Sequence, residues 1–185
     1  FKESGLTSVF LPATLQSIGK EVFRKCPLTS IDFSNITGNL IIGEASFRQC
    51  DINSLTLGAY IKSVELNAFR DNSNLASVTF AAENANLKVI GSGAFRGTSS
   101  LTSIEIPYYI ETIGSNAFYL GALNTLTFEA GSLLKTIESG AFDGYSGLGA
   151  ITTVVIPASV ETIGSKAFRD NALTSVTFEE GSKLK

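Results

Sequence analysis

Apolar and polar residues along this chain alternate, regroup, and then come back in the same order again and again. In Leu101–Phe118, LTSIEIPYYIETIGSNAF, Ile104 and Ile106 alternate with Ser103 and Glu105, the period-two signature of a strand with one buried face. Pro107 then ends the ladder by removing a backbone donor, as Pro12 and Pro157 do in their copies. Ile110 and Ile113, three residues apart, predict a second inward-facing piece. Gly114 follows, and then Ala117–Phe118, a pair expected on a turn of 3₁₀- or α-helix with its ring pointing inward. Ile151–Phe168, ITTVVIPASVETIGSKAF, and Leu6–Phe23, LTSVFLPATLQSIGKEVF, repeat this frame.

The copies open at Leu6, Leu28, Ile52, Leu75, Leu101, Leu123, Ile151 and Leu173, in steps of 22, 24, 23, 26, 22, 28 and 22 residues. Each full copy closes on a phenylalanine: Phe23, Phe47, Phe69, Phe95, Phe118, Phe142 and Phe168. A repeat of this length means a solenoid, in which coils stack and no central core is needed. Residues 1–185 therefore read as one array of seven full units of 22–28 residues with partial units at both ends. Phe1 fits the frame and Leu173–Lys185 stops partway through a unit, so both ends are expected to be cuts through a longer array. The fold class is a repeat solenoid, a β-rich α/β coil with short parallel strands and short 3₁₀ or α turns.

Three finer expectations follow from the frame. Gly19, Gly43, Gly91, Gly114 and Gly164 share one slot, which calls for positive φ or close backbone approach; Glu65 and Glu138 in the same slot make the demand a preference. Extra length falls at the corners, between Phe80 and Ile90 and in the Gly-rich stretch Asp143–Ala150. Stacking at roughly 5 Å turns the phenylalanines into a ladder of rings packed on one another.

Composition narrows the chemistry. There is no histidine, which removes the commonest general base and metal ligand. The two cysteines alone cannot form a four-ligand zinc site, and no glycine-rich stretch has a nucleotide-binding pattern. No catalytic, cofactor-binding or metal-binding residue is assigned, and the chain is read as no enzyme. Net charge is −3 without charged blocks, which recommends no nucleic acid as partner. No apolar run reaches the ~18 residues of a membrane span, so no membrane insertion is expected. Cys26 and Cys50 lie one repeat apart in the same slot. In-register stacking leaves a disulfide possible at the long end of its range and favours two buried free thiols. Glu179 and Glu180 belong to a solvated corner, FEEGSKLK, equivalent to FEAGSLLK at Phe128–Lys135.

The frame Leu-Thr-Ser-Ile-x-Ile-Pro, Ile-Gly, Ala-Phe, best seen in LTSIEIPYYIETIGSNAF, resembles the BspA-like class of leucine-rich repeats over the whole chain. The resemblance implies a right-handed leucine-rich-repeat coil with a parallel sheet on one face. It also implies an extracellular or cell-surface protein, adhesive toward a protein ligand such as a host matrix or cell-surface protein. The class often carries cysteine three residues after the phenylalanine, a slot that holds Cys26 and Cys50 here and Asn72, Thr98, Gly121, Gly144 or Asn171 elsewhere.

Alternation also defines an outward strand column, expected as the partner-binding face: Phe10, Asp32, Thr56, Thr79, Glu105, Thr127, Val155 and Thr177. Hydroxyl-bearing residues suit any solvated strand face, and a broad face of this kind is also how repeat proteins bind. Tyr108 and Tyr109, just past Pro107, form a second candidate contact at a corner. The rival reading is a structural spacer or a building block of an extracellular assembly.

Overall fold

The computed structural model describes residues 1–82, 86–145 and 149–185. The backbone winds as a parallel β-solenoid, one coil to each repeat. One arc of the coils forms a continuous seven-stranded parallel sheet from β1 (Ser17–Ile18), β2 (Leu40–Ile42), β4 (Ile61–Val64), β6 (Val89–Ile90), β8 (Thr112–Ile113), β10 (Thr136–Ile137) and β12 (Thr162–Ile163). These are the Ile-Gly pieces. The period-two segments form β3 (Ser54–Leu57), β5 (Ser77–Phe80), β7 (Ser103–Ile106), β9 (Thr125–Phe128), β11 (Thr153–Ile156) and β13 (Ser175–Phe178). They pair only two by two, β3 with β5, β7 with β9 and β11 with β13. In the first two coils the same segments keep the alternation without forming strands: Leu11, Ile31 and Phe33 are buried while Phe10 and Asp32 face solvent.

The glycine slot serves close approach and not positive φ. None of Gly19, Gly43, Gly91, Gly114 and Gly164 is left-handed. A Cβ on Gly91 would stand 2.3 Å from the carbonyl oxygen of Val64 in the preceding coil, and one on Gly43 2.4 Å from that of Ile18. Glu138 instead sends its carboxylate back to the preceding coil, accepting from Ser115 N at 2.8 Å and Ser115 Oγ at 2.7 Å.

The phenylalanine arc differs from the expected turn of helix. Among the described residues it is a run of hydrogen-bonded turns flanked by two left-handed residues in most coils, for example Ala45 (φ 52) and Gln49 (φ 59) around Phe47. Backbone donors there alternate in direction. Ser46 N and Arg48 N bond within the coil, to Gly43 O and Ala45 O, whereas Ala45 N, Phe47 N and Gln49 N reach the next coil at Leu66 O, Ala68 O and Arg70 O. A helix would keep every N–H to itself, and its width of ~10 Å would wedge apart coils stacked at half that distance. The left-handed residues break the helix and free every second donor for the neighbour.

The core is one continuous column. From Phe1 to Phe168 consecutive rings stack nearly parallel, with centroids 5.2–5.7 Å apart. Cys26 and Cys50 are free and buried, and burial pushes the Cys50 thiol up to about 12. Side chains in the slot they share donate to a phenylalanine carbonyl. Cys26 Sγ donates to Phe1 O and Cys50 Sγ to Phe23 O, and Thr98 Oγ1 to Phe95 O. Asn72 Nδ2 donates to both Phe47 O at 2.8 Å and Phe69 O at 2.9 Å. Asn72→Leu, which removes both donors, is expected to lower the unfolding free energy in urea by about 1–3 kcal/mol. Asn72→Cys, which restores one donor, should lose less.

Candidate interaction surface

The strand face comes from simple alternation. In β3, Leu55 and Leu57 point into the core while Ser54 and Thr56 point out. Phe10, Asp32, Thr56, Thr79, Glu105, Thr127, Val155 and Thr177 are all exposed, in the same slot of successive coils. Thr56 lies opposite Thr79, with hydroxyls 3.5 Å apart, Glu105 opposite Thr127, and Val155 opposite Thr177. Phe10 is 86% exposed and Val155 55%, so two apolar side chains stand in an otherwise polar column. Asp32 also has a local role, since its Oδ1 accepts from Ser34 N at 2.7 Å, which holds its carboxyl below the usual range and fixes the turn.

Two interruptions shape this face. Strands β5 and β7 do not pair, nor do β9 and β11, and these are the junctions that follow the repeats of 26 and 28 residues. The first gap holds a shallow depression of ≈ 280 Å³ lined by Ser77, Ser103, Glu105, Thr125 and Thr127 among others. The second holds one of ≈ 290 Å³ lined by residues including Phe128, Thr153, Val155 and Glu179. Glu105, Thr127 and Val155 thus border breaks that alternation alone does not reveal.

At the corner the tyrosine pair divides. Tyr109 is 1% exposed, and its hydroxyl donates to Ala81 O at 2.8 Å; burial pushes its pKa up to about 12. Tyr109 is therefore a structural plug, unable to meet a partner. Tyr108, 39% exposed and edge-on to Tyr109, is the one that faces outward. Glu129 accepts from Tyr108 N at 2.9 Å and Glu179 from Ala158 N at 3.0 Å. The FEAG and FEEG corners therefore clip each coil to the one before it. In the other corner candidate, Asp143–Ala150, residues 146–148 lie outside the described residues.

Two charged columns escaped the apolar frame. On the seven-stranded sheet side Glu111 pairs with Lys88 at 3.6 Å and Lys135 at 2.6 Å, and Lys185 with Glu161 at 3.6 Å. The Lys135 and Lys88 ammoniums hold the Glu111 carboxyl below the usual glutamate range. The second column is the residue directly after each phenylalanine: Lys2, Arg24, Arg48, Arg70, Arg96, Tyr119, Asp143 and Arg169. Buried Asp143 is neutralised by Arg169 of the next coil at 2.9 Å. Reading that slot coil by coil, as the strand column is read, finds this run in the sequence.

Among the described residues no helix is long and apolar enough to cross a membrane. No curated protein matches the chain. A family model described as a BspA type leucine rich repeat region matches in six copies, over residues 1–86 and 81–184. The crystal structure of the pneumococcal vaccine antigen PcpA is similar at 24% identity and a TM-score of 0.68, over 92% of this chain and 42% of that one. A leucine-rich repeat protein from Bacteroides ovatus is 21% identical with a TM-score of 0.70, over 95% of this chain and 47% of its own. A leucine rich cell surface protein from Faecalibacterium prausnitzii is 22% identical with a TM-score of 0.50, over 94% and 46%. The chain spans less than half the length of each of these proteins. By the family match along nearly its whole length and by its coil-per-repeat architecture, the chain belongs to the BspA-type leucine-rich repeat family.

Proposed function

We propose that this chain is a non-catalytic recognition scaffold of a secreted or cell-surface protein, adhesive toward a host matrix or cell-surface protein. The observation that carries the reading is the outward strand column, held in register within three strand pairs and opened by depressions beside Glu105 and Val155. Affinity on such a face comes from many weak contacts summed along a rigid support, and it multiplies with array length and display on a surface. The surface placement of the F. prausnitzii neighbour and the antigen status of PcpA support the location.

The test is binding of the chain to immobilised matrix proteins and host cells, against a variant carrying Thr56→Lys, Thr79→Lys, Glu105→Lys and Thr127→Lys. All four side chains point outward, so circular dichroism should be unchanged. Saturable binding should fall by at least about tenfold in the variant, as expected when the centre of an interface is disrupted. Undiminished binding would move the contact to the corner around Tyr108. No binding by the folded chain would leave the structural spacer as the better reading.

A further inference from the structure

The basic column beside the phenylalanine spine has no part in the strand-face reading. Lys2, Arg24, Arg48, Arg70 and Arg96 occupy one slot in five successive coils. They share two carboxylates. Glu21 serves Lys2 at 2.8 Å and also Arg24, and Asp71 Oδ2 lies 3.3 Å from Arg48 Nε and 3.2 Å from Arg70 Nε. Arg96 has no carboxylate partner among the described residues; its guanidinium lies over the Tyr119 ring, 4.6 Å from the centroid. The neighbouring pairs Lys20–Glu44 and Lys25–Glu3 are internally neutral. A protein of net charge −3 therefore carries one line of cations with a deficit of anions.

The arginine stems are held down. Their side chains are only about a quarter exposed, at 21% for Arg24, 25% for Arg48 and 24% for Arg70. The Nε atoms of Arg24, Arg70 and Arg96 are buried without a hydrogen-bond partner, the Arg70 contact with Asp71 being an ion pair only. For Arg48, Arg70 and Arg96 the outer guanidinium edge is therefore the polar part left to meet solvent, whereas Arg24 already gives its Nη1 to Glu21. A fork fixed at its base presents two parallel donors to a planar anion at little entropic cost. Past Arg96 the line continues into aromatic rings, Tyr119 and the exposed Tyr145, with centroids 5.4 Å apart.

We propose that this column binds a linear acidic polysaccharide laid along the solenoid axis, one anionic sugar ring to each coil. The spacing selects the ligand. The coils repeat at the parallel-strand spacing of ~4.8 Å, and one pyranose ring advances a 1,4-linked chain by a similar distance. The sugar carboxylates or sulfates that face the column then meet the guanidinium forks and the Lys2 ammonium, over about 20 Å for five coils at the strand spacing. Exposed Tyr145, beside Tyr119, offers a flat face to the apolar side of a following sugar. An extended acidic peptide fits less well, since its same-side carboxylates recur every ~6.7 Å and slide out of step within a few coils. B-form DNA, with a phosphate every ~3.4 Å along each strand, also falls out of register.

The test passes the whole chain over immobilised polygalacturonate, with neutral dextran, poly-L-glutamate and an oligothymidylate as comparison surfaces. Saturable binding to polygalacturonate is expected, weakening steadily as salt rises, with none to dextran. Arg48→Gln/Arg70→Gln should lower the affinity about tenfold or more, the loss of two charge-assisted contacts, without altering binding through the strand face. Arg48→Lys/Arg70→Lys keeps both stems and both charges and removes only the forks. It should bind several-fold more weakly with an unshifted melting transition, which keeps the test open if the glutamine variant unfolds. No polygalacturonate binding by the folded chain would overturn the proposal. So would full affinity in the lysine variant, or equal affinity for poly-L-glutamate or oligothymidylate.

Discussion

Phe95→Ala is expected to cost about 3–5 kcal/mol of unfolding free energy, the range for emptying a buried aromatic site. Phe95 is fully buried, with Phe69 stacked at 5.7 Å on one side and Phe118 at 5.4 Å on the other. Removing it leaves a gap in a column and takes a packing partner from two other rings. Collapse cannot fill the gap, because Phe95 N and Asp71 N are tied to the next coil at Ala117 O and Arg96 O and hold the pitch. In a solenoid each coil rests only on its neighbours, so the array should also lose cooperativity and melt in two stages split at this coil. Phe168→Ala is the comparison. That ring is half-buried and has a stacked neighbour on one side only, and its loss should cost distinctly less. Equal costs in urea unfolding would show that the ladder is not a supporting column.

Gly91→Ala should cost about 3 kcal/mol or more, at the upper end for overpacking, although it adds a single methyl group. The new Cβ would stand 2.3 Å from Val64 O and 2.8 Å from Glu65 C, both backbone atoms of the preceding coil. The contact can be relieved only by sliding two coils apart, which breaks the bond from Gly91 N to Val64 O. Gly19→Ala in the same slot of the first coil meets only Val22 Cγ2 at 3.6 Å, an ordinary contact, and should be nearly neutral. Similar melting temperatures for the two variants would refute close approach as the reason for glycine.

Much of this architecture is legible in the residues because it is written in volume and polarity. The phenylalanine positions, the alternation around Ile104 and Ile106, and the coil-to-coil equivalence of Cys26 and Cys50 all follow from reading columns. The continuous sheet is not legible that way. Strands such as Thr112–Ile113 are two residues long, too short for any period, and the sheet exists only through parallel neighbours. The left-handed positions are only partly announced, since Gly93 and Gly140 fill that site in two coils but Glu21, Ala45, Asn67, Asn116 and Lys166 fill it in the others. On the candidate face, alternation places Thr56 and Thr79 correctly in the open, but it cannot foresee that β5 and β7 part. Nor can it tell Tyr108 from Tyr109, because which of two adjacent rings turns inward depends on the carbonyl of Ala81 in another coil. The arginine column, its members 22–26 residues apart, is legible only once the phenylalanine frame is fixed and the slot after each ring is read down the coils.

The phenylalanine arc has an electrical direction of its own. In the bonds from Glu21 N to Glu44 O, Phe23 N to Ser46 O and Lys25 N to Arg48 O, the donor belongs to the earlier coil and the acceptor to the later one, and the same sense recurs through Phe142 N to Ala167 O. Along a sheet such peptide moments largely cancel. Here three per coil point the same way, on the order of 10 D for each coil added. The positive pole faces the C-terminal coils, the reverse of an α-helix. Elsewhere in each coil the bonds run the opposite way, as from Gly43 N to Ile18 O and from Gly91 N to Val64 O, so the coil is polarised across its width, with two opposed columns that lengthen together with every repeat.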